Sequence, residues 1–194
     1  LENVLKCKNL DRDRIFLGSA EKEISAVGEK LGINIYNRSE EEIREFPGDG
    51  ETPQWAVENI KKGVYAKFFL ETETDYFLTI NPCNPMLSYK TIDNAIECFQ
   101  NNDFKSLFGV VKRPNFFFDM KSSELVNKFN GPPQLLIGLD TRLIEPLYEA
   151  AHSIYMWSAD YMKNSPDYSR WSFTKNDPFL YEIPPEEAFD IDYS

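Results

Sequence analysis

Apolar segments with strand-like and helix-like spacing alternate along the first part of the chain. The segment RIFLGS (14–19) is short and apolar and ends at a turn, which predicts a β-strand. In the next segment, AEKEISAVGEKLG, Ile24, Val27 and Leu31 share one helical face, and Gly32 is typical of a helix end. This segment therefore predicts an amphipathic helix that forms one strand-helix unit with the first strand.

The same alternation continues toward the C-terminus. Further strands are predicted for INIY (33–36), DYFLTINP (75–82), KSLFGVV (105–111) and FLYEI (179–183). Thr52 and Pro53 are typical of a helix start, and Ser88 precedes a second helix. The apolar stripe of that second helix comprises Ile92, Ala95, Ile96 and Phe99. Strands that alternate with helices predict an α/β fold with a mostly parallel sheet flanked by helices, and ligands bind such sheets at the carboxyl ends of the strands.

The spacing of apolar residues along the chain changes after Val111. The segment RPNFFFDM is aromatic, NGPP is a break, and the residues that follow mix helix-like with strand-like spacing. We therefore expect an α/β domain formed by residues 1–112 and 178–194, interrupted by a lobe of residues 113–177. The aromatic side chains of this lobe suit a homodimer interface.

Charge and hydropathy argue against two classes of partner. The 194 residues carry 32 Asp and Glu side chains against 21 Lys and Arg, a formal net charge of −11, whereas nucleic-acid binders need a basic stripe. The longest apolar runs, such as QLLIGL, are far shorter than the roughly 20 residues that span a bilayer. Neither a nucleic acid nor a membrane is therefore expected as a partner.

The three cysteines, Cys7, Cys83 and Cys98, are odd in number and lack metal-ligand spacing. They predict small buried thiols in a reducing, cytoplasmic environment rather than a disulfide framework.

Two carboxylates separated by one isoleucine stand close to the end of the sequence. In an extended segment Asp190 and Asp192 share one face, while Ile191 points to the other. Two oxygen ligands on one face suit a hard cation such as Mg²⁺. The alternative is a solvated acidic tail without a ligand.

The order of several motifs supplies a family resemblance. A strand, a serine and a helix are followed by the pattern GxxxxxR, a GDG loop, the strand end INPCNPM, the helix TIDNAIECF and the final Asp-Ile-Asp. This succession, from about Leu1 to Asp192, resembles the acylneuraminate cytidylyltransferases, which make CMP-activated sialic and related nonulosonic acids. The resemblance implies a nucleotide-binding α/β sheet with a smaller dimerisation insert.

Carried over residue by residue, the resemblance implies where ligands bind. Asn81 takes the place of a glutamine that faces the sugar. Arg142 and Tyr155 match an arginine-led segment that ends in tyrosine, and a guanidinium there would grip the sugar carboxylate. The nucleotide-binding positions fall on Arg38, Asp49 and Thr52.

The implied reaction is nucleotidyl transfer from CTP to an acidic nine-carbon sugar, with release of pyrophosphate. Asp190 and Asp192 would hold the Mg²⁺ ion for this reaction. Such reactions depend on positioning of the reactants and on neutralisation of the phosphate charge.

Some features depart from the family pattern. The phosphate-binding loop rich in Gly, Ser and Lys is absent from these residues, and Leu87 replaces the arginine that closes the strand-end motif. Because LENVLKC has helical spacing from Leu1 onward, we expect the loop to precede it in the native protein. His152, the single histidine, is expected to be structural. The alternatives are a degenerate relative that binds nucleotide sugars without turnover, and a metal-dependent glycosyltransferase that uses the Asp-x-Asp pair.

Overall fold

The computed structural model of the protein describes residues 1–39, 71–164 and 172–191. Its strands and helices are β1 (Phe16–Ser19), α1 (Lys22–Lys30), β2 (Asn34–Asn37), β3 (Tyr76–Ile80), α2 (Tyr89–Gln100), β4 (Ser106–Arg113), β5 (Leu147–Ser158), α3 (Ala159–Asn164) and β6 (Phe179–Glu182). The strands predicted at β1, β2, β3, β4 and β6, and the helices predicted at α1 and α2, are confirmed. The helix predicted from Thr52 lies outside the described residues.

The strands in the described part of the chain form two sheets. β1 pairs with β2 in parallel, and the other four strands follow the order β3-β5-β4-β6. β5 is antiparallel to both β3 and β4, whereas β4 is parallel to β6. Strands β3, β4 and β6 therefore run in the same direction, and their carboxyl ends lie at the same end of the sheet. This mixed α/β arrangement confirms the predicted fold class.

The range predicted for the inserted lobe contains one strand of the main sheet. β5 (Leu147–Ser158) lies between β3 and β4. The chain therefore re-enters the main sheet at Leu147, whereas the lobe was predicted to extend to residue 177. The segment between β4 and β5 consists of isolated bridges and 3₁₀ turns, including Pro133–Gly138 and Thr141–Leu143. The role of this lobe in dimerisation stays a prediction.

The main core lies between α2 and one face of the four-stranded sheet. The predicted stripe of α2 is buried at all four positions, each at most 5% exposed. The stripe packs against side chains on one face of the sheet, among them Leu107, Val111, Ile154 and Met156. Burial of one such side chain contributes about 1.5–3 kcal/mol. The opposite face of the sheet carries a smaller cluster around Trp157 and Met162.

The face that α1 buries differs from the predicted one. Ile24 and Val27 are 42% and 51% exposed, whereas Ser25 and Gly28 are buried. A Cβ atom on Gly28 would lie 2.5 Å from Cδ1 of Ile35, so the glycine allows the helix to approach the β1–β2 sheet closely. The predicted apolar face was therefore wrong, because a close approach through small residues replaced packing through large ones.

The N-terminal residues are fastened to α2 by a buried carboxylate. LENVLKC forms a short 3₁₀ turn, Val4–Lys6, rather than the predicted longer helix. Oδ1 of Asp93 accepts hydrogen bonds from the backbone N–H groups of Lys8 and Asn9, at 3.0 and 3.1 Å. Burial, with a smaller contribution from the charge of Asp93, raises the pKa of Cys7 to about 11, so this thiol stays protonated at neutral pH.

All three cysteines are free thiols, of which Cys7 is buried and the other two are half-buried. None of the helices in the described part of the chain is long and apolar enough to cross a membrane.

Candidate functional site

The loop that follows β3 is held in a fixed conformation by its own side chains. The N–H of Asn81 donates to the carbonyl of Ser153 on β5, and its Oδ1 accepts from the N–H of Cys83 at 3.1 Å. Ser88 closes the loop as the N-cap of α2, because its Oγ accepts from the N–H of Thr91 at 3.2 Å. The loop therefore presents a defined surface at the carboxyl end of β3.

The C-terminal segment leaves β6 and docks on this loop. The N–H of Ile191 donates to the carbonyl of Cys83 at 2.9 Å. Oε2 of Glu187 accepts from the N–H of Ser88 at 2.8 Å, at the start of α2. These two contacts bring the carboxylate of Asp190, one of the predicted metal ligands, to the carboxyl end of β3, where ligands bind sheets of this kind.

Asp190 contacts Asn84, a residue for which the sequence predicted no role. Nδ2 of Asn84 donates to Oδ1 of Asp190 at 3.0 Å, and the two residues are 106 positions apart in the chain. Asn84 is buried, although it lies between two prolines in a loop. A buried polar residue in an exposed strand-end loop is a signal of function that burial, but not sequence spacing, makes visible.

Several predicted site residues lie outside the described part of the chain. Asp49, Thr52 and Asp192 are among them, so their roles stay predictions. Arg38 directly follows β2; its N–H donates to the carbonyl of Ser19 at 2.9 Å, and the residue is exposed. Because β1 and β2 are parallel, Arg38 lies at the carboxyl end of this smaller sheet.

The structure places Arg142 in a local ion pair. Its side chain is 86% exposed, and its Nη2 lies 2.7 Å from Oδ2 of Asp140. Hydrogen bonds from Arg142 lower the pKa of Asp140 to about 2, and the same contact raises the pKa of the guanidinium. Both side chains line an open depression of about 750 Å³, whose lining residues in the described part of the chain all lie within 134–143. No residue of the strand-end loop lines this depression.

Tyr155 lies on β5, opposite Thr79. Its ring packs edge-on against Phe108 with 5.1 Å between the ring centroids, and its hydroxyl lies 3.2 Å from Nδ1 of His152. Asn81 is bonded to Ser153, two positions before Tyr155 on the same strand. The structure thus brings Asn81 and Tyr155 to neighbouring positions of the sheet, whereas Arg142 has its polar contacts with Asp140.

A carboxylate is the candidate metal-binding group at the strand-end loop. Asp190 is half-buried and supplies a carboxylate. Within residues 1–39, 71–164 and 172–191, no group of three or more His, Cys, Asp and Glu side chains could hold a metal ion. Mg²⁺ commonly uses one or two carboxylates together with waters and other oxygen ligands, so the carboxylate of Asp190 stays a candidate ligand for such a cation.

The chain was compared with family models, with curated proteins and with solved structures, and only solved structures match it. No family model matches the chain, and no curated protein matches it. CMP:2-keto-3-deoxy-manno-octonic acid synthetase, complexed with CTP, is 11% identical with a TM-score of 0.46; the match covers 84% of this chain and 63% of that one. The chain thus spans less than two thirds of the length of that structure.

A second solved structure is more similar in shape. The 4-diphosphocytidyl-2C-methyl-D-erythritol synthase from Anaerococcus prevotii DSM 20548 is 14% identical, with a TM-score of 0.55, and the match covers 98% of this chain and 77% of that one. At this identity the likeness shows the fold, a mixed α/β sheet with flanking helices, and nothing about the ligand.

Proposed function

We propose that this protein is a cytidylyltransferase that transfers CMP from CTP to a nonulosonic, sialic-like acid. In this reaction an oxygen of the sugar attacks the α-phosphorus of CTP, a new phosphorus–oxygen bond forms, and pyrophosphate leaves. The observation that carries the proposal is the docking of the Asp190 segment on the loop after β3. It places an acidic group at the carboxyl end of the sheet, in a fold shared with a diphosphocytidyl synthase.

A Mg²⁺ ion fits the residues proposed for this site. Asp190 would supply a hard carboxylate ligand beside the loop, and Asp192, which lies outside the described residues, is proposed as the second carboxylate ligand. When bound, the ion would neutralise phosphate charge and lower the pKa of the attacking hydroxyl. The protein's own contribution is to hold the carboxylate of Asp190 where the loop after β3 meets the C-terminal segment.

The sugar would be held by Asn81, Tyr155 and Arg142, and the nucleotide by Arg38, Asp49 and Thr52. Asn81 directly follows β3 and Tyr155 lies on the adjacent strand β5, which supports the first assignment for these two residues. For Arg142, a sugar carboxylate would take over the two parallel hydrogen bonds that the guanidinium now donates to Asp140.

Replacement of Arg142 by lysine is expected to raise the KM for the sugar about 10-fold or more, with less than about a 2-fold change in the KM for CTP. Lysine keeps the charge but loses the paired donors, and a hydrogen bond to a charged group is worth about 1.5–3 kcal/mol. Steady-state kinetics with each substrate varied in turn measures both constants. Arg14→Lys, an exposed arginine before β1, is the matched control. Equal changes in both constants would make Arg142 a structural residue.

The lobe between β4 and β5 is proposed to form a homodimer. Met120 and Ile137 are 93% and 91% exposed, and Phe118, Val126 and Leu139 are also more than half exposed. Apolar side chains this exposed are typical of surfaces that a partner covers. Because each copy carries the same apolar side chains, this surface on one copy can pack against the same surface on a second copy. Sedimentation equilibrium, which gives the mass in solution, distinguishes a dimer from a monomer.

The proposed activity is tested by pyrophosphate release from CTP with a panel of acidic nine-carbon sugars. Release that requires CTP, a sugar and Mg²⁺ together, with formation of a CMP-sugar, is the expected result. Binding of CTP without turnover of any sugar would indicate a degenerate binding protein. Transfer of a sugar from a nucleotide sugar to an acceptor would indicate a glycosyltransferase.

A further inference from the structure

The side chain of Asn84 is almost fully withdrawn from solvent, yet only one of its two polar atoms is paired. It is 5% exposed, and its Nδ2 donates to Oδ1 of Asp190 at 3.0 Å. Its Oδ1 is buried and has no hydrogen-bond partner in the described part of the chain. A buried carbonyl left in this state costs about 1–3 kcal/mol. The arrangement therefore indicates a ligand for the amide that is not a protein atom.

Another asparagine shows how this protein treats a buried amide that is only structural. Asn127 is also 5% exposed. Its Nδ2 donates to the carbonyls of Asn115 and Glu145, both at 2.8 Å, and its Oδ1 accepts from the N–H of Phe117 at 3.1 Å. All of its polar atoms are paired with backbone groups. The orphan oxygen of Asn84 is therefore not what burial of an asparagine in this protein entails.

The two side chains lie close enough to share one small cation. Nδ2 of Asn84 lies 3.0 Å from Oδ1 of Asp190, and the unpaired Oδ1 of Asn84 is bonded to the same amide carbon, so both amide atoms lie next to that carboxylate. Mg²⁺ takes oxygen ligands at 2.0–2.1 Å in octahedral geometry, so two ligand atoms of one ion lie about 2.9 Å apart when adjacent and about 4.1 Å apart when opposite. A cation held by Asp190 is therefore within reach of the orphan oxygen while the N–H bond to Asp190 is kept.

We propose that Asn84 is a direct ligand of the cation held by Asp190, through its side-chain amide oxygen. This inference rests on the proposed function for the presence of the cation, and it adds a ligand from the loop after β3 to those of the C-terminal segment. The backbone bond from Ile191 to Cys83 already fixes the two segments together next to these side chains. The cation would thus bind a largely formed pair of ligands and would pair the orphan oxygen of Asn84.

The inference is tested with Mn²⁺ as the probe, in full-length protein whose asparagine side-chain carbonyls carry carbon-13. Electron-nuclear double resonance of the bound Mn²⁺ is expected to show a coupling to an amide carbon two bonds away. The coupling should disappear in Asn84→Asp, which keeps an oxygen ligand and therefore still binds Mn²⁺. It should persist in Asn127→Asp, the matched control. Absence of any amide coupling in the unaltered protein, with Mn²⁺ bound, would overturn the inference.

Titration with Mn²⁺ gives a second readout that does not depend on activity. Asn84→Ala is expected to weaken Mn²⁺ binding about 10-fold or more, a size typical of changes near a metal site, whereas Asn127→Ala should leave the affinity unchanged. If Asp190→Asn weakens binding and Asn84→Ala does not, the inference fails while the proposed metal site stands. If the unaltered protein binds no Mn²⁺, with or without CTP, both fail.

Discussion

Replacement of Asp190 or Asp192 by asparagine in the full-length protein is expected to lower the rate of CMP transfer by about 10³-fold. Loss of one carboxylate removes a charged ligand from a cation that would stabilise the transition state by several kcal/mol, and about 4 kcal/mol corresponds to this factor. Single-turnover measurement of CMP-sugar formation at saturating CTP and several Mg²⁺ concentrations separates loss of the ion from loss of chemistry.

Asparagine is the informative substitution at Asp190 because it can still accept the hydrogen bond from Asn84. A fall in rate with unchanged thermal stability would then be an effect of the lost charge rather than of a loosened loop. Glu186→Gln is the matched control, since Glu186 is an exposed acidic residue of the same segment with no proposed role. Activity near that of the unaltered protein in both aspartate variants at saturating Mg²⁺ would refute the metal site.

Replacement of Asp177 by alanine is expected to lower the free energy of unfolding by about 3 kcal/mol. The carboxylate precedes β6, is 7% exposed, and accepts hydrogen bonds from the hydroxyls of Ser106, Ser172 and Tyr161. Alanine would leave these donors without their acceptor, and buried polar groups left unpaired cost about 1–3 kcal/mol each. Urea unfolding measures the difference. Asp160→Ala, an exposed position, should change it by less than about 0.5 kcal/mol.

The same carboxylate makes stability depend on pH. Burial raises the pKa of Asp177, but the hydrogen bonds from Ser106, Ser172 and Tyr161 outweigh burial and leave the pKa below its ordinary value. Its contribution is therefore fully present above the unfolded pKa of about 3.9 and is lost as the pH falls through the lower folded value. The melting temperature should fall less steeply below about pH 4 in Asp177→Asn than in the unaltered protein, as calorimetry would measure. Identical profiles would show that Asp177 does not titrate in this range.

The two aspartates differ in their positions in the fold and in their hydrogen-bond partners, and we therefore expect different roles for them. Asp177 precedes β6 and bonds to Ser106, the first residue of β4, at the amino ends of these parallel strands. Asp190 lies at the carboxyl end of β3, next to the loop that starts α2. Asp177 has several protein donors and is expected to act on stability alone, whereas Asp190 retains capacity for an external ligand.

Local sequence determined most of the regular elements. The stripe of α2 could be predicted because helical periodicity depends only on residues three and four apart, and the short apolar strands were recognised for the same reason. The alternation of these elements along the chain was enough to predict an α/β fold with ligands at the strand ends. The acidic pair at Asp190 was also visible from spacing, and the structure brings Asp190 to that end of the sheet.

Tertiary structure alone decided the identity of β5. The sequence of this strand mixes two periodicities because of a bulge: three residues of β4, from Phe108 to Val110, lie opposite six residues of β5, from Tyr155 to Ala150. His152, within the bulge, has a φ of +49°, which interrupts the alternation of side chains. A strand whose alternation is broken lacks the period-2 signal, so only its pairing with β3 and β4 revealed it.

The remaining details depend on contacts that sequence spacing does not encode. The face of α1 was decided by how closely Gly28 lets the helix approach Ile35. The pairing of Asn84 with Asp190 joins residues 106 positions apart, and no local pattern relates such positions. Sequence therefore determined most of the elements that form and which end of the sheet carries the candidate site. The side chains that meet there were decided by the route of the chain after β6, because contacts distant in sequence are fixed only when the elements pack.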